Sequence, residues 1–153
     1  MDKIKVLIAD SYSLMREALR MAIEIEPDMK VVGEACSSDE VVAQARALSP
    51  DVILMDIFIP DDKDGLSAMD ELLSLDHQNR IVVLSSSTDE ELIEAAFQSG
   101  VLAYLFKDAP RSELLLAIRK AARGEKYGRQ PNYQDTESRF PSAFFYAFSG
   151  YVK

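Results

Sequence analysis

An unbroken apolar run that ends in a carboxylate, from Val52 to Asp56, most constrains how this chain folds. The run reads Val-Ile-Leu-Met-Asp, and Pro50 stands shortly before it. A short apolar run bounded by a breaker is typical of a strand that is buried on both faces in a parallel sheet. Open α/β sheets bind ligands at the carboxyl ends of their strands. Asp56 is therefore a candidate site residue, and an aspartate that simply ends a strand and caps a turn is the equal alternative.

The rest of the chain alternates short apolar runs with segments of helical period. Strands are predicted over 3–9, 30–35, 51–56, 80–85 and 102–106, and helices over 11–26, 66–75, 89–99 and 110–123, with another that is capped at 37–39 and ends at 48. Strand–helix alternation with right-handed crossovers gives a parallel sheet that is covered on both faces. The predicted fold class is therefore α/β, a doubly wound (βα)5 sheet of five parallel strands with flavodoxin-like topology.

The first predicted helix has an apolar face and a charged face. Apolar residues recur at helical spacing and are expected to face the core, whereas the charged residues are expected mostly on the other side. The apolar set comprises Leu14, Ala18, Leu19, Ala22 and Ile23.

Polar side chains stand at the predicted ends of four strands: Asp10, Asp56, Ser85 and Lys107. Carboxyl ends of parallel strands share one edge of the sheet, so these residues are expected to converge. Each has a plainer alternative, because Asp10 and Ser85 suit helix N-caps and Lys107 suits a solvated strand end. Their joint arrangement favours a functional site over these separate structural roles.

Such a site suits phosphoryl chemistry. A carboxylate such as Asp56 acts as a nucleophile and forms an acyl phosphate. Mg²⁺ held by one or two carboxylates, with Asp10 as the second, would offset the repulsion between the anions. Lys107 would neutralise phosphoryl oxygens as a point charge, and the Ser85 hydroxyl would follow the new group.

The chain from about residue 3 to 127 resembles bacterial two-component response-regulator receiver domains, most closely those of the LuxR/NarL-type class. The stretches that carry the resemblance are Val-Leu-Ile-Ala-Asp (6–10), Leu-Met-Arg-Glu-Ala-Leu (14–19), Pro-Asp-Val-Ile-Leu-Met-Asp (50–56), Asp-Gly-Leu (64–66), Ile-Val-Val-Leu-Ser (81–85) and Ala-Tyr-Leu-Phe-Lys-Asp-Ala (103–109). They cover most of the domain in the family's order.

The resemblance implies a phosphoacceptor rather than a classical enzyme, with phosphate passed to Asp56 from a sensor histidine kinase. It implies Mg²⁺ ligands in Asp10, Asp56 and the backbone carbonyl of Phe58. It also implies that Ser85 and Lys107 contact the phosphoryl group and that Tyr104 reorients with Ser85. A homodimer is expected through the surface formed by residues 89–123 or through the C-terminal tail.

The chain departs from the family pattern in the acidic site. Receivers usually carry two adjacent acidic residues after the first strand, and Ser11 stands at the second position here. Mg²⁺ affinity is expected to fall. Asp61 and Asp62 are the candidates for compensation, in the loop 60–65, which is one residue longer than usual. A receiver-like interaction module with weak or no phosphorylation is therefore the main alternative. An Asp-nucleophile phosphatase or a flavin protein on the same topology ranks third.

Composition limits the other classes of function. The net charge of −9 disfavours a nucleic-acid surface on this chain. The single cysteine, Cys36, allows no internal disulfide and is expected to be a buried or half-buried thiol. No stretch is apolar enough to cross a membrane or to serve as a signal sequence, so a cytoplasmic location is expected.

A receiver domain over 1–127 and an aromatic-rich tail over 128–153 are the expected organisation. The tail contains seven of the 13 aromatic residues. Phe140, Phe144, Phe148 and Tyr151 recur there at helical spacing, which predicts a short amphipathic helix after a polar linker. An unstructured or non-native tail is the alternative. The tail does not resemble the helix-turn-helix output domain that usually follows such receivers.

Overall fold

The computed structural model describes residues 2–59, 66–76 and 78–128. Its strands are β1 (Ile4–Ala9), β2 (Met29–Ala35), β3 (Val52–Met55), β4 (Ile81–Ser85) and β5 (Ala103–Phe106), and its helices are α1 (Ser13–Glu24), α2 (Ser38–Leu48), α3 (Ser67–Leu75), α4 (Glu90–Ser99) and α5 (Arg111–Ala122). The strands form one sheet in the order β2-β1-β3-β4-β5, and every neighbouring pair is parallel. The predicted fold class is confirmed.

Two apolar layers enclose the sheet. Helices α2, α3 and α4 pack on one face around residues such as Val41, Met69 and Phe97. Helices α1 and α5 pack on the other face around residues such as Ile23 and Ile118. Because both faces are covered, β3 and β4 are buried along their whole length. The unbroken apolar runs in the sequence reflect this double burial.

The predicted helix ends rest on recognisable capping residues. The Ser37 hydroxyl accepts a hydrogen bond from the Glu40 amide, and the Asp89 carboxylate accepts one from the Glu91 amide. Gly100 ends α4 with φ of 116°, a left-handed conformation that disfavours residues with a side chain. The expectation of a buried or half-buried Cys36 was wrong, because this residue is exposed beside the Ser37 cap.

Helix α1 differs from its predicted orientation. Leu19 and Ile23 are buried as expected, but Leu14 is 78% exposed and Ala18 is exposed as well. Met15 contacts the core in their place. The apolar residues of this helix cover a wider arc than the one that packs on the sheet, so Leu14 and Ala18 remain exposed to solvent.

The polar face of α1 is fixed by an ion pair network with β2. Glu34 accepts hydrogen bonds from Arg16 Nε at 3.1 Å and from Arg20 Nη2 at 2.7 Å. The hydrogen bond from Arg20 lowers the pKa of Glu34 and outweighs the opposite effect of partial burial. These contacts set the rotation of α1 about its own axis.

We expect Glu34→Gln to destabilise the fold in a pH-dependent way. Glu34 is about one-third exposed, so the loss at pH 7 should be only about 0.5–1 kcal/mol. A lowered pKa stabilises the fold above the unfolded value of about 4.3, and this contribution disappears as the pH falls through the folded value. Urea unfolding at pH 7 and at about pH 3 measures the difference. Glu17→Gln, an exposed carboxylate on α1, is the control, and an equal loss at both pH values would contradict the assignment.

Within the part of the chain that the structure describes, no helix is both long and apolar enough to cross a membrane.

Candidate functional site

Three of the four strand-end residues meet at the carboxyl edge of the sheet. Asp10 follows β1, Asp56 follows the neighbouring β3, and Lys107 follows β5. The Lys107 ammonium lies 3.0 Å from Asp10 Oδ2 and 2.7 Å from Asp56 Oδ2. Only 2% of Asp10 and 6% of Asp56 is exposed. The site therefore consists of two buried carboxylates that share one cation.

Local turns orient both carboxylates. Asp10 Oδ1 accepts a hydrogen bond from the Tyr12 amide at 2.8 Å, and Asp56 Oδ1 accepts one from the Phe58 amide at 3.0 Å. Each aspartate thus closes a turn with the amide two residues later, a known preference of this residue. The N-cap alternative for Asp10 was wrong, because Tyr12 occupies the position before α1 and no side chain caps that helix.

Ser85 lies at the end of β4 and is fully buried. Its hydroxyl accepts a hydrogen bond from the Ser87 amide at 3.1 Å, whereas Asp89 caps α4. The N-cap alternative for Ser85 was therefore wrong too. The Lys107 amide donates to the Ser85 carbonyl at 3.0 Å, which ties the serine to the strand end that carries the lysine.

Tyr104 points into the fold beneath the loop that follows β4. It is 1% exposed, and its hydroxyl donates to the Ser87 carbonyl at 2.9 Å. Its ring meets Phe106 edge-on at 6.0 Å between centroids. Burial raises the pKa of its phenol, so the group stays neutral at physiological pH. The tyrosine and the serine thus contact the same short loop.

Lys107 is not a solvated strand end, because only 20% of its side chain is exposed. Burial lowers the pKa of the ammonium, but the hydrogen bonds and charges of Asp56 and Asp10 outweigh this effect and the pKa is raised. The Tyr12 ring adds a cation–π contact, 5.7 Å from the nitrogen. Tyr12 was not among the predicted site residues. The one signal for it in the sequence is its position two residues after Asp10, at the same strand end.

The donors present fit a magnesium ion of the kind that keeps several waters. Mg²⁺ in proteins is commonly held by one or two carboxylates together with phosphate oxygens, and Asp10 and Asp56 supply two buried carboxylates. Among residues 2–59, 66–76 and 78–128, no group of three or more His, Cys, Asp or Glu side chains is arranged to hold a metal. Ser11 follows Asp10 and is half-buried. Asp61 and Asp62, the candidates for compensation, lie outside the described residues.

Comparison with known proteins identifies the family. Residues 6–119 match the model of the response regulator receiver domain. The chain is 40% identical over 124 residues to the uncharacterized transcriptional regulatory protein YxjL of Bacillus subtilis (strain 168), covering 81% of this chain and 56% of that protein. It is 37% identical to the transcriptional regulatory protein LiaR of the same organism, covering 80% of this chain and 57% of that protein.

A solved structure agrees with these relatives. The signal receiver domain of the putative response regulator NarL from Mycobacterium tuberculosis superposes with a TM-score of 0.77 at 28% identity, covering 82% of this chain and all of that one. The chain spans just over half of the length of the curated relatives. The matched family, these relatives and the strand-end site agree with one another, and the chain belongs to the response regulator receiver domains of two-component signalling systems.

Proposed function

We propose that this chain is a phosphorylation-dependent signalling receiver in which Asp56 accepts a phosphoryl group from a sensor histidine kinase. The observation that carries the proposal is the buried Asp56 carboxylate, which lies 2.7 Å from the Lys107 ammonium and shares that cation with Asp10. A carboxylate oxygen of Asp56 forms the new bond to phosphorus while the bond from phosphorus to the donor breaks.

The residues of the chain have separate roles in this step. Asp10, Asp56 and the Phe58 carbonyl would hold Mg²⁺, which supplies positive charge to the phosphoryl oxygens. The Lys107 ammonium has three donors, so it can transfer contacts from the two carboxylates to the phosphoryl oxygens. The hydrogen bond from the Phe58 amide orients the Asp56 carboxylate.

The loop after β4 would carry the effect of phosphorylation to the surface of the domain. The Ser85 hydroxyl would turn towards the phosphoryl group and give up its bond from the Ser87 amide. Tyr104 would then reorient, since its hydroxyl is bound to the carbonyl of that same Ser87. The change biases the 89–123 surface, which pairs with a second copy or another partner. YxjL and LiaR are transcriptional regulatory proteins, and we infer a role in transcription control for this chain.

The second candidate function is a receiver-like interaction module with little phosphorylation. Ser11 favours it, because a hydroxyl replaces a carboxylate beside Asp10 and leaves the site with one negative charge fewer. Lys107 already offsets one of the two remaining charges. A divalent cation therefore meets a weaker field than in a site with three carboxylates.

We expect Ser11→Asp to tighten Mg²⁺ binding by at least about tenfold, because an added charge a few ångströms from the ion contributes well over 1 kcal/mol at an effective dielectric of about 20. Titration of the protein with Mg²⁺ by calorimetry measures the change. Ser11→Asn is the matched control, since it has the same shape without the charge. Equal affinities for the Asp and Asn variants would show that this position does not contribute to the metal site.

Phosphoryl uptake decides between the two functions. The protein is incubated with a small acyl phosphate, with and without Mg²⁺, and its intact mass is measured. A receiver gains one phosphoryl group in a Mg²⁺-dependent way, and the Ser11→Asp variant does so at lower Mg²⁺. If neither protein gains mass at saturating Mg²⁺, the interaction module is the better account.

A further inference from the structure

Helix α1 carries an exposed apolar stripe. Leu14, Met21 and Ile25 are 78%, 63% and 72% exposed, and Ala18 between them is exposed as well. They recur at spacings of four, three and four residues. Ile25 is the C-cap of α1 and keeps helical backbone angles, so the four residues form one line along the helix. We name these four residues the α1 stripe. Contiguous exposed apolar surface of this kind marks an interaction site.

The stripe is fixed in place and cannot turn inward. Arg16 and Arg20 hold the polar face of α1 against Glu34 of β2, and Leu19 and Ile23 fill the core. At the end of the helix, Arg111 of α5 donates to the Ala22 carbonyl. The α1 stripe therefore remains available to an occupant from outside residues 2–59, 66–76 and 78–128.

We propose that the α1 stripe is covered by residues 140–151 of the same chain, which lie outside the described residues. Phe140, Phe144, Phe148 and Tyr151 recur at spacings of four, four and three residues. This aromatic line and the α1 stripe span the same number of positions. Ala18, in the second position of the α1 stripe, is the smallest of its side chains and leaves room for a large partner. A groove-bound amphipathic helix with anchors at these spacings is a common recognition mode.

The course of the described chain brings the tail to this side of the sheet. The Tyr127 amide donates to the Leu102 carbonyl at 2.9 Å, and its ring lies in the same core layer as Leu19 and Ile23 of α1. Tyr127 bridges Ala103 of β5, and α1 packs on β1 and β2, which lie three and four strands away. At about 4.8 Å per strand the linker must cross about 19 Å, whereas residues 129–139 reach up to about 36 Å when extended. The linker is therefore long enough for 140–151 to lie along α1.

A tethered occupant fits the size of the surface better than a second copy. Stable protein–protein interfaces bury about 1,200–2,000 Å² in total, far more than four side chains on one helix supply. A covalent linker raises the effective concentration of the occupant to the millimolar range, so a small apolar contact suffices.

The test measures how accessible the middle of the α1 stripe is in the full 153-residue chain. Ala18→Cys is introduced together with Cys36→Ser, and the rate of thiol alkylation is followed by mass spectrometry. We expect Phe144→Ser with Phe148→Ser to raise this rate about tenfold, because loss of two apolar anchors releases the segment. The matched control is Phe145→Ser with Tyr146→Ser, which removes two aromatics off the line and should leave the rate unchanged.

Native Cys36, which is exposed, serves as the reference thiol in chains that retain Ala18, and its rate should be equal in all tail variants. Three results would overturn the proposal: alkylation of Ala18→Cys as fast with the native tail as with the Phe144/Phe148 change, equal acceleration by both tail changes, or protection that grows with protein concentration. The last result would assign the α1 stripe to a second copy. None of these measurements involves phosphoryl transfer, so they fail or succeed independently of the proposed function.

Discussion

Asp56→Asn is expected to abolish phosphoryl uptake while the protein stays folded. An amide oxygen is a poor nucleophile at phosphorus, so the expected uptake is at background. The fold should persist because Asn has almost the same volume and Lys107 still pairs with Asp10 at 3.0 Å. We expect the free energy of unfolding to change by no more than about 1 kcal/mol. Intact-mass analysis after incubation with an acyl phosphate and Mg²⁺ measures uptake, and urea unfolding measures stability.

The same strand offers the matched control. Asp51 stands just before β3, at the end opposite to Asp56, and its carboxylate accepts a hydrogen bond from the Lys5 amide. Asp51→Asn makes the same chemical change far from the carboxyl edge and should leave uptake as it is in the unaltered protein. Full uptake by Asp56→Asn would move the phosphoacceptor to another residue.

Lys107→Met is expected to produce the largest loss of stability among substitutions in the site. The change leaves two nearly buried carboxylates without their common cation. Breaking a fully buried ion pair by removing one partner costs about 3–5 kcal/mol, and partial water access to Lys107 reduces the expected loss to about 2–3 kcal/mol. Because the pKa of Lys107 is raised, the pair contributes its full stabilisation below the unfolded lysine pKa of about 10.4, and this is lost only as the pH rises through the folded value.

A double-mutant cycle isolates the cause. In the Lys107→Met background, Asp10→Asn removes one of the two uncompensated charges and should recover more than about 1 kcal/mol, although the same change costs stability in the unaltered protein. Additive effects would mean that lost packing of the lysine side chain, rather than charge, explains the destabilisation.

The architecture was predictable because each element is locally consistent with the fold. Strand β3 is a continuous apolar run since both faces are buried, and α4 begins and ends at recognisable caps, Asp89 and Gly100. Once the sheet was predicted to be parallel, Asp10, Asp56 and Lys107 had to reach the same edge. The prediction of the site thus depended on topology more than on any single residue.

Side-chain detail was less predictable from the sequence. Helical periodicity identifies an apolar arc, but the arc of α1 extends from Leu14 to Ile23 and the sequence does not show which part contacts the sheet. Long-range pairs with Glu34 fix that rotation, and such pairs have no local signal. The same reason explains why the Tyr12 ring beside the Lys107 ammonium was not foreseen, since 95 positions separate the two residues.

The position of the phosphoryl group tests the central claim most directly. Acyl phosphates are reduced by borohydride to the alcohol, which converts an aspartyl phosphate into homoserine. After phosphorylation and reduction, peptide sequencing by mass spectrometry should find homoserine at position 56 and aspartate at position 10. Homoserine at position 10, or at neither position in protein that has gained a phosphoryl group, would contradict the assignment of Asp56 as the phosphoacceptor.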